Sequence, residues 1–257
     1  MSGSRRRSSP RFPLSFSPSD VRSPDVTVLG LPSERVLPGY PRGQARAPGV
    51  IRRAARGLDF FEPGLGDPLE ELTLVDEGDL PDFRPRTRPR AFLILGGDHT
   101  VTARAVSRLR PRRLLWLDAH PDLLPSERHD GALRACLRRV GRAVLVGVRA
   151  WSRREWEELE GSDRLRLLSP EEAVEEAGRA DYVSLDLDAL DPSVAPGVTT
   201  PEPGGLGFEE VARIVREAGR AGAHLDVVEL CPEVESHVTP VVACRLIGEY
   251  LKGFLEG

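Results

Sequence analysis

The sequence predicts an α/β domain of three layers, α/β/α, around a mostly parallel sheet of about eight strands. From residue 26 onward, strand-like and helix-like segments alternate. The strand candidates are nearly continuous in Val, Leu and Ile rather than alternating apolar with polar, as expected when helices cover both faces of a sheet. The stretches after these strands carry polar and Pro/Gly-rich residues, so the carboxyl edge of the sheet is where chemistry is expected.

In chain order, residues 1–24 are rich in Ser, Arg and Pro, with Arg5-Arg6-Arg7 near the start. No apolar centre follows those charges, so the segment reads as a mobile, solvated tail rather than an export signal. Residues 25–257 read as one catalytic domain, since the length suits a single well-buried core. Strands are expected at 26–31, 72–76, 91–96, 113–118, 143–148, 165–168, 181–187 and 224–230. Helices are expected near 48–57, 100–110, 132–140, 152–160, 170–178, 208–221 and 240–254. Ser169-Pro170-Glu171-Glu172 marks one helix start clearly, with Ser as cap and Pro at the first helical position. The Pro/Gly-rich stretches 38–49 and 192–207 read as long loops that line a pocket.

Charged residues make up 30% of the chain and nearly balance, with a formal net charge of −4, which gives no global bias towards nucleic acid. Three irregularly spaced cysteines suggest buried thiols in a reducing, cytoplasmic setting rather than a disulfide framework. No apolar run approaches the roughly 20 residues of a membrane-spanning helix.

The chemistry is concentrated at three strand ends. After the apolar run 114–117 come Asp118, His120 and Asp122 at alternate positions, the period at which an extended chain points side chains to one side. The run 91–95 ends in Gly96-Gly97-Asp98-His99, and the run 182–185 ends with Asp186 and Asp188 on one face. Any one of these could be a polar turn leaving a strand. If the three strands lie side by side, however, two imidazoles and four carboxylates converge. Four carboxylates buried so close together cannot all stay ionised without counter-charge, which two divalent cations would supply. The donors are nitrogen and oxygen without sulfur, a set that suits Mn²⁺ better than a structural zinc.

Gly-Gly-Asp-His at 96–99, Asp-Ala-His-Pro-Asp at 118–122 and Ser-Leu-Asp-Leu-Asp-Ala-Leu-Asp-Pro at 184–192 resemble the three metal-binding signatures of the ureohydrolase family, which includes arginase, agmatinase, guanidinobutyrase and formimidoylglutamase. Residues 42–48, 75–79, 195–197 and 200–205 agree in order and spacing. The resemblance implies an arginase-like fold and two Mn²⁺ per subunit. Asp118 and Asp186 would bridge the ions, with His99 and Asp122 completing one shell and His120 and Asp188 the other.

The implied reaction is hydrolysis of a guanidino or amidino C–N bond. In it Asp122 would accept a proton from the attacking water, His129 would relay one to the leaving amine, and Glu229 would pair with the guanidinium. His129-Asp130-Gly131 is one residue longer than the family's His-Gly pair, so a solvated loop histidine stays the alternative there.

Arg128, with Arg134, is a candidate clamp for a substrate carboxylate. Asp98 is expected to buttress His99 or cap the next helix, and Ser184 and Asp191 to shape the loop after Asp188. His224 and His237 match no motif and read as structural.

The substrate expectation is agmatine first, then formimidoylglutamate or guanidinobutyrate. Arginine comes last, because 123–128 lacks the Asn and Ser side chains that arginases offer the amino-acid end. A deacetylase or a non-catalytic binding subunit are the readings from other classes. The partners implied are a small guanidino or formimino substrate and, by family habit, copies of the chain in a trimer or hexamer, with neither nucleic acid nor membrane.

Overall fold

The structure is a computed structural model and describes residues 11–257. All eight expected strands form: β1 (Val26–Leu31), β2 (Leu74–Asp79), β3 (Ala91–Gly96), β4 (Arg113–Leu117), β5 (Arg142–Val146), β6 (Leu165–Leu168), β7 (Tyr182–Asp186) and β8 (His224–Val228). They make one parallel sheet in the order β2-β1-β3-β8-β7-β4-β5-β6. The helices are α1 (Ala47–Ala55), α2 (Pro68–Glu71), α3 (Thr100–Leu109), α4 (Ala132–Cys136), α5 (Arg153–Glu160), α6 (Pro170–Ala177), α7 (Phe208–Arg220) and α8 (Val238–Glu256).

Two apolar cores lie on opposite faces of the sheet. Alternate strand residues such as Val28, Leu93, Leu115 and Leu185 meet α1, α6, α7 and α8 on one face. Leu29, Ile94, Trp116 and Leu145 meet α3 and α4 on the other. This period-two division produces the three layers. The capping predicted at Ser169 is present: its hydroxyl accepts from the Glu172 N–H, and the Glu172 carboxylate accepts from the Ser169 N–H.

The strand order differs from the expectation that β3, β7 and β4 are neighbours. β8 lies between β3 and β7, so four central strand ends converge rather than three. The chain leaves β3, crosses to β4 and only later returns with β7 and β8 to fill the gap, which makes this the switch point of the sheet.

The expected mobile tail, residues 1–24, also needs correction where it is described. Residues 1–10 lie outside the described residues. From there on the segment packs: Phe12 is 2% exposed in the core, its N–H donates to Asp76 Oδ2 at 2.6 Å, and Phe16 bridges to Val75. β2 runs on to Asp79 because buried Arg52 takes both oxygens of Asp76 at 2.8 Å and Oδ1 of Asp79 at 2.5 Å. Asp76 and Asp79 are thereby neutralised and kept in the sheet, where β2 runs past the strand end expected at 76.

No helix among the described residues is long and apolar enough to cross a membrane. The three cysteines are free and buried.

Candidate metal centre

The carboxyl ends of β3, β8, β7 and β4 set four groups of side chains around one point. β3 delivers His99, the residue before α3. Its ring is fully buried and stacks on Trp116, with centroids 3.9 Å apart and planes 5° apart. Ser184 Oγ lies 2.8 Å from His99 Nε2 and donates its own hydrogen to Asp226 Oδ1 at 2.7 Å. The hydroxyl has one hydrogen, and the Asp226 carboxylate takes it, so the hydroxyl accepts from Nε2–H. That leaves the Nδ1 lone pair pointing at carboxylates: Asp186 Oδ2 at 3.0 Å, Asp118 Oδ2 at 3.1 Å and Asp122 Oδ2 at 3.4 Å.

A second group meets beside the first. His120 Nδ1 is 3.0 Å from Asp188 Oδ2 and 3.5 Å from Asp118 Oδ1. Among the described residues, His99, Asp118 and Asp186 form one set whose ligand atoms lie within 4.8 Å of one another, and Asp118, His120 and Asp188 form a second. Asp118 belongs to both sets. Asp122 reaches the first through its contact with His99.

The electrostatics of this cluster call for a cation. His99 Nδ1 and Asp118 Oδ2 are buried and have no hydrogen-bond partner although they face each other. Burial pushes the Asp122 carboxyl up to about 8, with the charge of Asp118 adding to it. Burial, then Asp188 and Asp118, hold Asp186 well above the carboxylate range. Burial opposes charge on the histidines, yet the carboxylates raise His99 strongly and His120 to about 12. Without ions the cluster therefore collects protons, and those protons stand in for metal charge. Two imidazoles and four carboxylates with inward-pointing, unpaired atoms fit a pair of divalent cations.

Further side chains support the candidate ligands. Ser184, expected to shape a loop, sits inside β7 and orients His99, backed by Asp226, which also accepts from Tyr182 Oη at 2.6 Å. Thr200 Oγ1 donates to Asp188 Oδ2 at 3.0 Å. Arg149 spreads its guanidinium over the carbonyls of Gly147, Asp188, Ala189, Leu190, Glu202 and Pro203, tying the 188–203 loop to the end of β5. Asp98 caps α3 by accepting from the Thr100 N–H at 2.8 Å and holds the Arg35 N–H at 2.5 Å.

Two residues of the site sit on strained backbone: Asp122 at φ 49° and Glu229 at φ 64°, a region non-glycine residues rarely occupy. The turn at Glu229 brings its Oε1 to accept from the His99 N–H at 2.8 Å. Its Oε2 is buried without a partner, and its Oε1 lies 3.8 Å from His129 Nδ1. His129 is nearly buried, which lowers its pKa, and its Nε2 has no partner.

A small cavity of about 130 Å³ opens over Asp118, His120, Asp122, Asp186 and Asp188. His129, Asp130, Tyr40, Glu155 and Thr200 complete its polar wall. The sequence singled out neither Asp130, whose buried Oδ1 has no partner, nor Glu155.

The two arginines proposed as a carboxylate clamp are elsewhere. Arg128 lines a different cavity, on the other side of its loop. Arg134 is held by the Leu123 carbonyl at 2.5 Å and by Glu158.

Comparison with known proteins agrees with this geometry. A family model described as "Arginase family" matches residues 24–252. The chain belongs to the arginase family. Among curated members of that family it is 30% identical to an agmatinase of Chromobacterium violaceum, over 90% of this chain and 84% of that one. It is 31% identical to an N(1)-aminopropylagmatine ureohydrolase of Thermus thermophilus, over 90% of this chain and 92% of that one. A crystal structure of agmatine ureohydrolase from Thermoplasma volcanium superposes with a TM-score of 0.79 at 26% identity, covering 89% of each chain. Members of the arginase family are hydrolases with a binuclear metal centre, and the two ligand sets described here are this chain's candidate for it.

Proposed function

We propose that this ureohydrolase cleaves the guanidino group of an amine-tailed substrate of the agmatine type, giving urea and a diamine, with two Mn²⁺ held by His99, Asp118, His120, Asp122, Asp186 and Asp188. The observation that carries the substrate class is the sign of the cavity wall. Beyond the ligands, the described residues of the wall include Asp130 and Glu155 and no lysine or arginine. A cationic tail gains from that field, whereas the carboxylate of arginine, guanidinobutyrate or formimidoylglutamate meets like charge. The unpaired Oδ1 of Asp130 is the natural acceptor for an ammonium.

When bound, the ions supply a Lewis acid and lower the pKa of water towards neutrality. The chain's own residues do the rest. Asp122, on the cavity wall, takes up the proton released as water adds to the trigonal carbon. His129, whose free Nε2 is beside the same space, delivers a proton to the departing amine nitrogen. Glu229 lies next to His129, with Oε1 3.8 Å from its Nδ1, and its unpaired Oε2 is the acceptor for the guanidinium N–H groups.

The test is an assay of Mn²⁺-loaded protein on agmatine, arginine, guanidinobutyrate and formimidoylglutamate, with urea and formamide measured separately. Urea from agmatine with the highest kcat/KM is the expected outcome. A preference for any carboxylate-tailed substrate, or no turnover of the panel, contradicts the reading.

A further inference from the structure

A second cavity, of about 410 Å³, lies between α3 and α4 on the other side of the 124–131 loop from the metal centre. The loop divides its residues between the two spaces. Leu124, His129 and Asp130 face the catalytic cavity, and Ser126, Glu127 and Arg128 face this one.

The wall brings together four guanidinium groups from four places in the chain: Arg35 after β1, Arg104 in α3, Arg128 in the loop and Arg138 after α4. Arginines of this chain readily find carboxylates, as Arg52, Arg142, Arg216 and Arg220 do. Among the described residues, none of these four has an ion-pair partner. Arg104 donates only to Ser33 Oγ, at 2.9 Å. Glu127, the one carboxylate among the described residues of the wall, is exposed. In a chain of net charge −4 this concentration of positive charge is local, not a reflection of composition.

Like charges gathered around a concave space repel one another, and an anion inside relieves that repulsion while offering each guanidinium fork a pair of oxygens. We propose that this cavity is a binding site for a phosphate-bearing anion. Phosphate fits better than a single carboxylate because its three or four oxygens can satisfy several forks at once and its charge is nearer to that of the wall. The hydroxyls of Ser107 and Ser126 add neutral donors. The floor, made of small alanine side chains from α3 and α4, leaves room for the group esterified to the phosphate.

The test measures binding alone, so its result is independent of which substrate the metal centre hydrolyses. Metal-loaded protein is titrated calorimetrically with inorganic phosphate, with phenyl phosphate and with benzoate, at an ionic strength held constant with chloride. Saturable binding of both phosphates, tighter than that of benzoate, is expected. R35A/R138A, which removes two exposed side chains, weakens that binding roughly tenfold or more. E127Q, which removes a negative charge from the wall, tightens it. Equal phosphate binding by wild type and R35A/R138A places the anion elsewhere, for instance on the ions, and overturns the proposal. So does the absence of phosphate binding by folded wild-type protein, a preference for benzoate, or weaker binding by E127Q.

Discussion

Replacing Ser184 with Ala removes one oxygen from the interior and leaves every candidate metal ligand in place, so it isolates the role of the hydroxyl between His99 and Asp226. In the native chain His99 Nε2 donates to Ser184 Oγ at 2.8 Å, and Ser184 donates to Asp226 Oδ1 at 2.7 Å. Ala breaks both contacts. His99 keeps its stacking on Trp116 but loses the contact that fixes its rotation and tautomer, and Asp226 Oδ1 loses a buried donor. Loss of such a supporting contact typically lowers metal affinity by about 10- to 100-fold, or about 1.4–2.8 kcal/mol. The deficit falls on the ion bound by His99, Asp118 and Asp186, and the ion bound by Asp118, His120 and Asp188 keeps most of its affinity. A separate cost of about 1–3 kcal/mol is expected in metal-free unfolding, from the stranded Asp226 oxygen. Calorimetric Mn²⁺ titration of the S184A variant and wild type separates the two binding steps, and urea unfolding of the metal-free forms measures the second cost. Two unchanged Mn²⁺ affinities in a folded S184A protein would refute the reasoning.

Other substitutions probe other parts of the account. Asp130→Asn removes the charge facing the cavity without changing its shape, so KM for agmatine rises by about tenfold while kcat changes less; a kcat loss with unchanged KM would show that Asp130 is not a tail contact. Asp76→Asn weakens the buried Arg52 pair and is expected to destabilise the fold by about 3–5 kcal/mol, readable as a lower urea midpoint at an unchanged slope. His224 predicts a pH effect on stability. Burial lowers its pKa to about 4, and its Nδ1 accepts from the Phe92 N–H at 3.1 Å, which only the neutral ring can do. The folded pKa lies below the unfolded value of about 6.5, so the contribution is complete above that pH and is lost as the pH falls towards 4, by up to about 3 kcal/mol. Urea unfolding at pH 7 and pH 5 should show the loss in wild type and a smaller one in H224N; identical pH profiles would remove His224 from the explanation.

The six ligand candidates were legible because their signal is local. Apolar runs of four or five residues announce buried strands, and alternate polar residues at the strand ends must share a side. The strand 224–230 already put Glu229 at the carboxyl edge, but strand order is set by long-range pairing, so the sequence could not show that β8 separates β3 from β7. The sequence places Ser184 in the strand 181–187 but gives its hydroxyl no partner; pairing Ser184 with Asp226 across β7 and β8 is visible only in the register. Arg128 and Arg134 were read as one clamp because they are close in sequence. The tight turns of the 124–131 loop send Arg128 to the opposite side from His129, and Arg134 is taken by Glu158. The four-residue helix α2 gives no periodicity to read. The same limit hid Asp130: an extra residue next to His129 looks like loop variation until its carboxylate is seen on the cavity wall.

The central claim is that two divalent ions share Asp118, with His99 and Asp186 on one side and His120 and Asp188 on the other. Crystals of Mn²⁺-loaded protein, measured at the manganese absorption edge, test it most directly. Two anomalous peaks within a few ångströms of each other, flanking the Asp118 carboxylate, are the predicted result, and both should vanish in D118A. A single peak, two peaks far apart, or two peaks that persist in D118A would contradict it.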